Sequence, residues 1–523
     1  MEIRRLVEIT NNFEEGALIA AIDVGSNAMR MGIATFDATG NTQMIQRYRA
    51  PVRLGHDAFT TGKLSEQTMD NALEAFHEFR GLLDQHHITK YKAIATSAMR
   101  DASNGKTLIA KILQETNIEL SLISGEEEAR LVQYAISQRL DLSEKYALLI
   151  DMGGGSVEIS LTRNGKVLTA QSFQIGTVRL LEMQNQAEDF ALAFQERFLD
   201  IAQVIKRNMS KGKLDFCVAT GGNAAAIGEL AVQLGLSETA DSISRTGLGE
   251  LITLLNEKTF EERISELGLR PDRADVIVPA AMVFHQIMKV AKAKTMMMPD
   301  SGLLDGILLD LMDSKEEMFQ TQYGNLIAMG QSIAKKFHVD RKYAEWVNQM
   351  ALLMFDLLSV KFALTTLDKL LLQLAASLHE MGMYINVRSH HHQAAYLITA
   401  VPMLGLSDRD KQVLSQVLRY QRKAAPSEDH ADFASLSPSD KKKVWQLSAL
   451  LRLAIALNRE RRNRVSKLRL EVDKKCVHLM LNGAGELLLE RWAAMQTADY
   501  FEKAFDLPLQ VGFNPSNPED ITK

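Results

Sequence analysis

The pattern of apolar and polar residues along the first 140 positions predicts β-strands connected by helices. Short apolar runs at 17–23, 29–37 and 42–51 predict a three-stranded meander with tight polar turns. Helical spacing at 65–87 is followed by two more predicted strands, at 91–97 and 118–124. A helix is then predicted to begin in the segment GEEEARLVQYAI. This order favours an α/β unit.

The same order starts again after residue 140. The segment 146–173 predicts a buried strand, a glycine-rich turn and two strands joined at Asn164-Gly165, which is a strong hairpin signal. The segments IDVGSN (22–27) and IDMGGGS (150–156) both end an apolar strand with Asp, Gly and small polar residues. We infer an internal duplication, with two α/β halves at 1–140 and 141–312 that face each other across a cleft.

The remainder of the chain has a different texture. Residues 313–464 have an almost wholly helical pattern, and residues 465–523 predict a small α+β domain containing LRLEVD, CVHLMLNG, a helix and LPLQVGF. A chain of 523 residues is too long for one core, which agrees with a four-part division.

Composition and charge narrow the class of protein. The hydrophobic fraction of 46% and the charged fraction of 24% are typical of a soluble globular protein. The net charge of −5 would not attract a polyanion, so a phosphate-chain substrate would need a local basic path. Cys217 and Cys476 lie far apart and show no disulfide or metal-ligand spacing. With no signal peptide or long apolar run, we expect a cytoplasmic protein without membrane partners.

Two loops carry the first candidate chemistry. Each follows a predicted buried strand, and glycine there lets main-chain N–H groups approach an anion. Either loop alone also fits a plain hairpin turn, but the repeated pair predicts phosphate binding between them. The loop residues assigned to this role are Asp23, Gly25, Ser26, Asn27, Gly153, Gly154, Gly155 and Ser156.

A third glycine-rich turn precedes a predicted helix. Gly221, Gly222 and Asn223 follow the predicted strand 215–220, and a helix N-terminus behind glycines is a common anion site. A simple strand-to-helix connection would have the same pattern.

Acidic residues open the helix at 125. Ser124 and Glu127 have the spacing of a capping box, which gives Glu127 a structural role. Glu126 and Glu128 are compatible with the favourable dipole at a helix start, so the local pattern alone does not make Glu128 catalytic.

Six segments in fixed order resemble the signature blocks of the exopolyphosphatase/guanosine pentaphosphatase (Ppx/GppA) family. They are AAIDVGSNAMRMGIA, IATSAMRDASNG, LISGEEEARLVQYAI, LIDMGGGSVEIS, ATGGNAAAIGELA and RADVIVPAAM. The resemblance implies a duplicated actin-like fold of the ribonuclease H-like (ASKHA) class. It also implies a helical HD-like domain after it and hydrolysis of terminal phosphoanhydrides.

The family pattern assigns roles to individual residues. The resemblance implies that Glu128 is the general base that activates water, and that Asp151 and Glu158 hold a metal, expected to be Mg²⁺, with Mn²⁺ as the alternative. Arg30 and Arg100 are expected to add positive charge at the phosphates.

Two positions depart from the family pattern. Leu304 stands where the family often has Arg, which removes one candidate cation from the cleft. Asn223 replaces the usual Thr of the third loop, which keeps a polar group there.

Histidines in the helical region suggest a second metal site at first sight. In the HD pattern a first His and a His-Asp pair are required, whereas this chain has Tyr343 and His379-Glu380. We therefore expect no metal there. His392 is predicted to pack against the helix of His379, with His390 and His391 exposed.

Basic residues of the helical region bear on the substrate. Arg419, Arg422 and Lys423 form either a solvated face or a track for a phosphate chain. We expect inorganic polyphosphate as substrate, with guanosine pentaphosphate (pppGpp) as the alternative on the same scaffold. A third hypothesis, from a different functional class, is a weakly catalytic protein that senses polyphosphate or a nucleotide. A homodimer is expected, and no nucleic-acid partner.

Overall fold

A computed structural model describes residues 4–8, 18–36, 42–186, 190–209, 213–312, 315–473, 475–483 and 487–513. The chain divides into two compact units, 1–321 and 322–523. The finer division into four domains stays a prediction. None of the helices in the described part of the chain combines the length and apolarity that a membrane span requires.

The first unit contains two six-stranded sheets. The strands of the first sheet are β1 Arg4–Glu8, β2 Ile19–Val24, β3 Met29–Phe36, β4 Thr42–Ala50, β5 Lys90–Ala95 and β6 Leu120–Leu122. Their order is β1-β4-β3-β2-β5-β6. Strands β2, β3 and β4 form the predicted antiparallel meander, whereas β5 lies parallel to both β2 and β6. Strand β2 is buried along its whole length, as its unbroken apolar run predicts.

The second sheet repeats this arrangement. Its strands are β7 Tyr146–Met152, β8 Val157–Arg163, β9 Lys166–Phe173, β10 Phe216–Thr220, β11 Ser242–Ser244 and β12 Thr295–Met297, in the order β11-β12-β10-β7-β8-β9. Again three strands form an antiparallel meander and β10 lies parallel to both β7 and β12. The turn between β8 and β9 falls at Asn164-Gly165, as predicted. The predicted duplication is therefore confirmed in the strand topology.

Helices surround these sheets. They are α1 Leu54–Thr60, α2 Glu66–Gln85, α3 Ser97–Asp101, α4 Gly105–Thr116, α5 Gly125–Arg139, α6 Thr177–Gln186, α7 Phe190–Asn208, α8 Gly222–Gln233, α9 Arg245–Asn256, α10 Phe260–Ser265, α11 Pro271–Ala274, α12 Ile277–Val290 and α13 Leu303–Met312.

Helix α5 packs against the second sheet and against α13, which in turn packs on the first sheet. Leu131 belongs to an apolar cluster that contains Ile19 of β2. Val132 and Ile136 belong to a second cluster, which contains Leu149 of β7. Because neighbouring faces of α5 belong to apolar clusters from different halves of the unit, the helix is fixed between them.

The start of α5 departs from the predicted capping box. The Ser124 hydroxyl accepts the N–H of Glu127 at 3.2 Å, as expected of a cap. The Glu127 carboxylate, however, does not return to Ser124 but accepts two hydrogen bonds from Arg130, at 2.7 and 2.8 Å. Arg130 also donates to Asp310 at 2.6 Å, so Glu127 has a structural role through this buried arginine.

The second unit is mainly helical. The helices that follow α13 are α14 Lys315–Lys336, α15 Arg341–Phe362, α16 Thr366–Leu378, α17 His390–Ala400, α18 Asp408–Arg419, α19 Ala431–Ala434, α20 Pro438–Ala456, α21 Leu488–Met495 and α22 Ala498–Phe505. A small sheet contains β13 Val465–Val472, β14 Val477–Gly483 and β15 Leu509–Phe513, in that order. Two short helices thus occupy the segment in which one was predicted.

The expected exposure of the three consecutive histidines is wrong. His390 and His391 are buried, with 5% and 2% exposure, whereas His392 is exposed. His390 Nδ1 lies 3.3 Å from the carbonyl oxygen of His379, and its Nε2 lies 2.8 Å from Arg422. Since the arginine can only donate, Nε2 accepts and Nδ1 carries the proton. The start of α17 turns the first two rings inward, which the letters HHH do not reveal.

The glycines that position the second loop give a test of this packing. Gly176 precedes α6, and a Cβ added there would lie 2.3–2.4 Å from main-chain atoms of Gly154 and Gly155. We expect Gly176→Ala to lower the free energy of unfolding by about 1–3 kcal/mol, because the main chain must shift. Gly81→Ala is the control, since Gly81 is exposed in α2 with open space around it. There alanine should stabilise by about 0.5–1 kcal/mol. Equal midpoints in chemical denaturation would contradict this packing.

Candidate active site

Matching positions of the two hairpins carry the acidic groups that end strands β2 and β7. Asp23 pairs in register with Arg30 on β3, and Asp151 pairs in register with Glu158 on β8. Arg30 Nη1 donates to Asp23 Oδ2 at 3.1 Å. The hairpin of the first half therefore carries an ion pair, Asp23 with Arg30, whereas the same positions of the second half carry two carboxylic acids, Asp151 and Glu158.

Three carboxylates from both halves meet at this place. One oxygen each of Glu128, Asp151 and Glu158 lies within 4.8 Å of the others, and all three residues are at most 9% exposed. Asp151 Oδ1 accepts the hydroxyl of Thr220 at 2.7 Å, and Glu158 Oε1 accepts that of Ser172 at 2.7 Å. The Oε2 atoms of Glu128 and Glu158 are buried without a hydrogen-bond partner. Such a set of unpaired oxygens suits a hard cation or a water molecule.

Burial and mutual repulsion make these groups hold protons tightly. Burial, followed by the charges of Glu158 and Asp151, raises the pKa of Glu128 well above its ordinary value, although Arg100 opposes the shift. Burial and Asp151 raise the pKa of Glu158 to about 7. Burial also raises the pKa of Asp151 and of Asp23, despite Arg30 beside Asp23. A nearby cation would favour the charged forms.

The two predicted phosphate loops have the same internal hydrogen bond. Gly25 N–H donates to the Ala28 carbonyl at 3.2 Å, and Gly153 N–H donates to the Ser156 carbonyl at 3.0 Å. A phosphate would therefore be bound by other groups of the loops than these two N–H groups. The loops also touch, because a Cβ on Gly154 would lie 2.9 Å from that of Ser26.

The third predicted loop lies beside the second. Gly221 has φ +93°, a region that favours glycine, and it precedes α8. Asn223 is buried and its side-chain oxygen accepts a hydrogen bond from Arg273. The Asn that replaces the usual Thr is thus a partner for a buried arginine.

A cavity of about 490 Å³ connects these parts. Most of the predicted site residues line it, namely Asp23, Gly25, Ser26, Asn27, Arg30, Glu128, Asp151, Gly153, Gly154, Gly221, Gly222 and Asn223.

Four predicted residues lie behind the cavity wall instead. Gly155 is backed by Ser97, whose Oγ would lie 2.4 Å from an added Cβ. Ser156 and Glu158 are both buried at 2% exposure. Arg100 donates to a main-chain carbonyl at 2.6 Å and lies 3.8 Å from Glu128 Oε2. Its positive charge therefore reaches the carboxylates rather than the open cavity.

Sequence reasoning missed four arginines of the cavity lining, namely Arg47, Arg49, Arg270 and Arg273. Arg49 and Arg273 are only 7% and 5% exposed, which is unusual for a charged side chain. Burial and neighbouring arginines lower the pKa of Arg273 to about 9, so it stays protonated at neutral pH. Its position at the start of the RADVIVPAAM segment was the available signal.

Leu304 occupies the position where the family often has an arginine. It lines the cavity and packs in the apolar cluster that contains Ile19. Arg47 lies in the same region and forms ion pairs with Asp300 at 3.2 Å and Asp305 at 3.4 Å. This part of the cavity therefore still contains an arginine, which comes from strand β4 instead of from helix α13.

Glycine loops, buried carboxylates and cavity arginines thus lie together in a two-lobed α/β fold. Comparison with known proteins agrees. The model of the Ppx/GppA phosphatase family matches residues 33–315, and the model of domain III of Ppx/GppA phosphatases matches residues 328–495. The chain belongs to the Ppx/GppA phosphatase family and is a phosphoanhydride hydrolase.

Three relatives show how far the similarity extends. A guanosine-5'-triphosphate,3'-diphosphate pyrophosphatase of Photobacterium profundum is 25% identical over 92% of this chain and 96% of its own. One of Pseudoalteromonas atlantica is 25% identical over 87% and 90%. The crystal structure of an exopolyphosphatase from Cytophaga hutchinsonii is 27% identical, with a TM-score of 0.51, and covers 57% of this chain and 99% of its own.

The raised pKa of Glu158 predicts a pH-dependent effect of Glu158→Gln. The folded pKa of about 7 exceeds the ordinary 4.5, so the stability that this group contributes is present below pH 4.5 and is lost as pH rises through 7. In chelating buffer we expect Glu158→Gln to gain stability relative to the unmutated protein between pH 5 and pH 8, by roughly 3 kcal/mol. Thermal unfolding at both pH values measures it. A difference between the two proteins that does not change with pH would contradict the assignment.

Proposed function

We propose that this cavity hydrolyses the terminal phosphoanhydride bond of a phosphate chain and releases orthophosphate. The observation that carries the proposal is the meeting of Glu128, Asp151 and Glu158 beside the two glycine loops. Hydrolysis of such a bond needs a positioned water, a base within reach and positive charge on the phosphate oxygens. The described residues offer the base and the positive charge, and the unpaired carboxylate oxygens could hold the water.

Glu128 is the proposed base. It is the one member of the carboxylate cluster that comes from a helix start, it lines the cavity, and its Oε2 has no hydrogen-bond partner. Burial raises the pKa of Glu128, so the group acts as a base only when a nearby positive charge keeps it ionised; the ionised carboxylate is then a stronger base than an ordinary glutamate. Arg100, 3.8 Å away, limits the rise and would stabilise the carboxylate between turnovers.

Asp151 and Glu158 are the proposed ligands of Mg²⁺, or of Mn²⁺ in its place. Their support is the unpartnered Glu158 Oε2 and the oxygen-only donor set, which hard cations prefer. A bound cation would neutralise developing charge on the phosphate oxygens. Arg30, Arg49 and Arg273 also line the cavity, where Arg30 is paired with Asp23 and Arg49 with Asp272, and their remaining N–H groups could donate to phosphate oxygens.

Inorganic polyphosphate is the first proposed substrate, since five arginines, Arg30, Arg47, Arg49, Arg270 and Arg273, line the cavity. The second candidate is pppGpp, which is favoured by relatives over 87–92% of this chain that are named for the pentaphosphate nucleotide. Both substrates end in the same reacting group. A homodimer and a cytoplasmic location stay predictions.

Glu128→Gln tests the proposed base. With Mg²⁺ present, we expect its turnover on polyphosphate and on pppGpp to fall by roughly 10²–10⁴, since the amide keeps the shape but does not accept the proton. Phosphate release measures turnover, and a chelator should abolish it in the unmutated protein. Glu127→Gln is the matched control, because Glu127 is paired with Arg130, and its effect should be mild. Near-normal turnover in folded Glu128→Gln would sink the assignment.

The proposal also includes the basic track, by which we mean Arg419, Arg422 and Lys423, as a binding surface for a long phosphate chain. Arg422 and Lys423 are exposed but already donate, to His390 at 2.8 Å and to the carbonyl of Arg388 at 3.1 Å. Arg419 is only partly exposed. A phosphate chain would have to bind them alongside these contacts.

Neutralising all three track residues to Gln separates the substrates. We expect KM for long-chain polyphosphate to rise by roughly tenfold and to become less sensitive to salt, because charge contacts are lost. Hydrolysis of pppGpp should change little. The control is the same charge change at the exposed Lys335, Lys336 and Arg341. Equal losses on both substrates would indicate a folding role, and no loss on either a solvated face.

A further inference from the structure

The hairpin between β13 and β14 holds a second group of possible metal ligands, outside the cavity. Cys476 Sγ lies 3.0 Å from His478 Nε2, and His478 Nε2 lies 3.1 Å from Asp473 Oδ2. The third edge, from Cys476 Sγ to Asp473 Oδ2, is 3.9 Å. The pattern D-x-x-C-x-H was missed in the sequence because only cysteine-to-cysteine spacing was considered.

Local backbone structure fixes the three side chains. Cys476 and His478 are two residues apart, so their side chains point to the same face where β14 begins. Asp473 Oδ1 accepts the N–H groups of Lys475 at 2.6 Å and Cys476 at 2.8 Å. This leaves Oδ2 directed at the other two ligands. Lys361 Nζ bonds to the main-chain oxygen of Asp473 at 2.6 Å and not to its carboxylate.

Sγ and Oδ2 both approach the same ring nitrogen, His478 Nε2, which carries at most one proton. If that proton points to Asp473, the nitrogen has no lone pair to accept the thiol proton. The thiol can then donate only to Asp473 Oδ2, at the longer distance of 3.9 Å, so the short contact of 3.0 Å between sulfur and nitrogen is not explained by the thiol proton. A nucleophilic Cys-His-Asp relay is also excluded for this geometry, since it requires the two partners on different ring nitrogens.

A tetrahedral cation fits the same three atoms. Bonds of about 2.3 Å to sulfur and about 2.0–2.1 Å to nitrogen or oxygen separate neighbouring ligand atoms by roughly 3.3–3.6 Å. The observed edges of 3.0, 3.1 and 3.9 Å lie around these values.

We propose that Asp473, Cys476 and His478 bind one Zn²⁺ ion, with water in the fourth position. Thiolate and imidazole ligands select zinc-like ions over Mg²⁺, Ca²⁺ and Mn²⁺, which prefer oxygen. The site therefore differs in chemistry from the all-carboxylate cluster of the cavity. Binding would release the thiol proton and tie the turn of the hairpin to β14.

Titration of the full chain with Co²⁺ tests the site, because a cobalt–thiolate bond gives an ultraviolet charge-transfer band. With a phosphine reductant present, we expect one equivalent to produce the band and Zn²⁺ to remove it. Cys476→Ser should abolish the band. Asp473→Asn, which keeps the turn acceptor Oδ1, and His478→Gln should each weaken binding by at least about tenfold. Cys217→Ala is the control, since Cys217 is buried in the first unit and should leave the band intact.

The outcomes decide the proposal without relying on the cavity chemistry. Circular dichroism and Mg²⁺-dependent phosphate release check that each variant is folded. No band in the unmutated protein, or an equal band in Cys476→Ser, would overturn the site. Half an equivalent of cobalt per chain would also overturn it, because the metal would then bridge two copies. The cobalt titration and the Glu128→Gln experiment are independent, so the outcome of one does not decide the other.

Discussion

Mutual repulsion among the buried carboxylates of Glu128, Asp151 and Glu158 is the constraint on which the rest of the first unit depends. One oxygen of each lies within 4.8 Å of the others, and the three residues are at most 9% exposed, so solvent screens their charges only weakly. Such a group persists only if the surrounding fold is stable enough to offset its cost and if protons or a cation compensate it. The two apolar clusters that hold α5 between the sheets provide the first condition. The positive charges of the cavity arginines contribute to the second condition, the compensation of negative charge.

Part of this site could be predicted because its signals are local. Asp23 and Asp151 each end an apolar strand and begin a glycine turn, so about ten consecutive residues contain the whole pattern. Comparing the two segments reveals the duplication, which the strand order confirms. Glu128 is different, since nothing at the helix start distinguishes it from Glu126. Its candidacy came from the family resemblance, and the structure brings it to the other carboxylates.

The rest depends on contacts between distant parts of the chain. Arg49 and Arg273 are more than 200 positions apart, yet both line one cavity, and a single sequence offers no means to pair them. The partner of Glu127 is Arg130 rather than the cap, because a third group, Asp310, fixes the arginine. His390 is buried because the first turn of α17 faces inward. In each case tertiary packing decided between alternatives that local propensity leaves equal.

The register of the two hairpins has a consequence for how a substrate could lie in the cavity. The strand register is the same in both halves, but Asp23 faces Arg30 where Asp151 faces Glu158. The pairing of the two hairpins is therefore repeated, whereas their charge is not. A phosphate chain between them would meet an ion pair on one side and acidic groups on the other. The difference between Arg30 and Glu158 would thus give a bound chain a preferred direction that the repeated strand pairing alone does not provide.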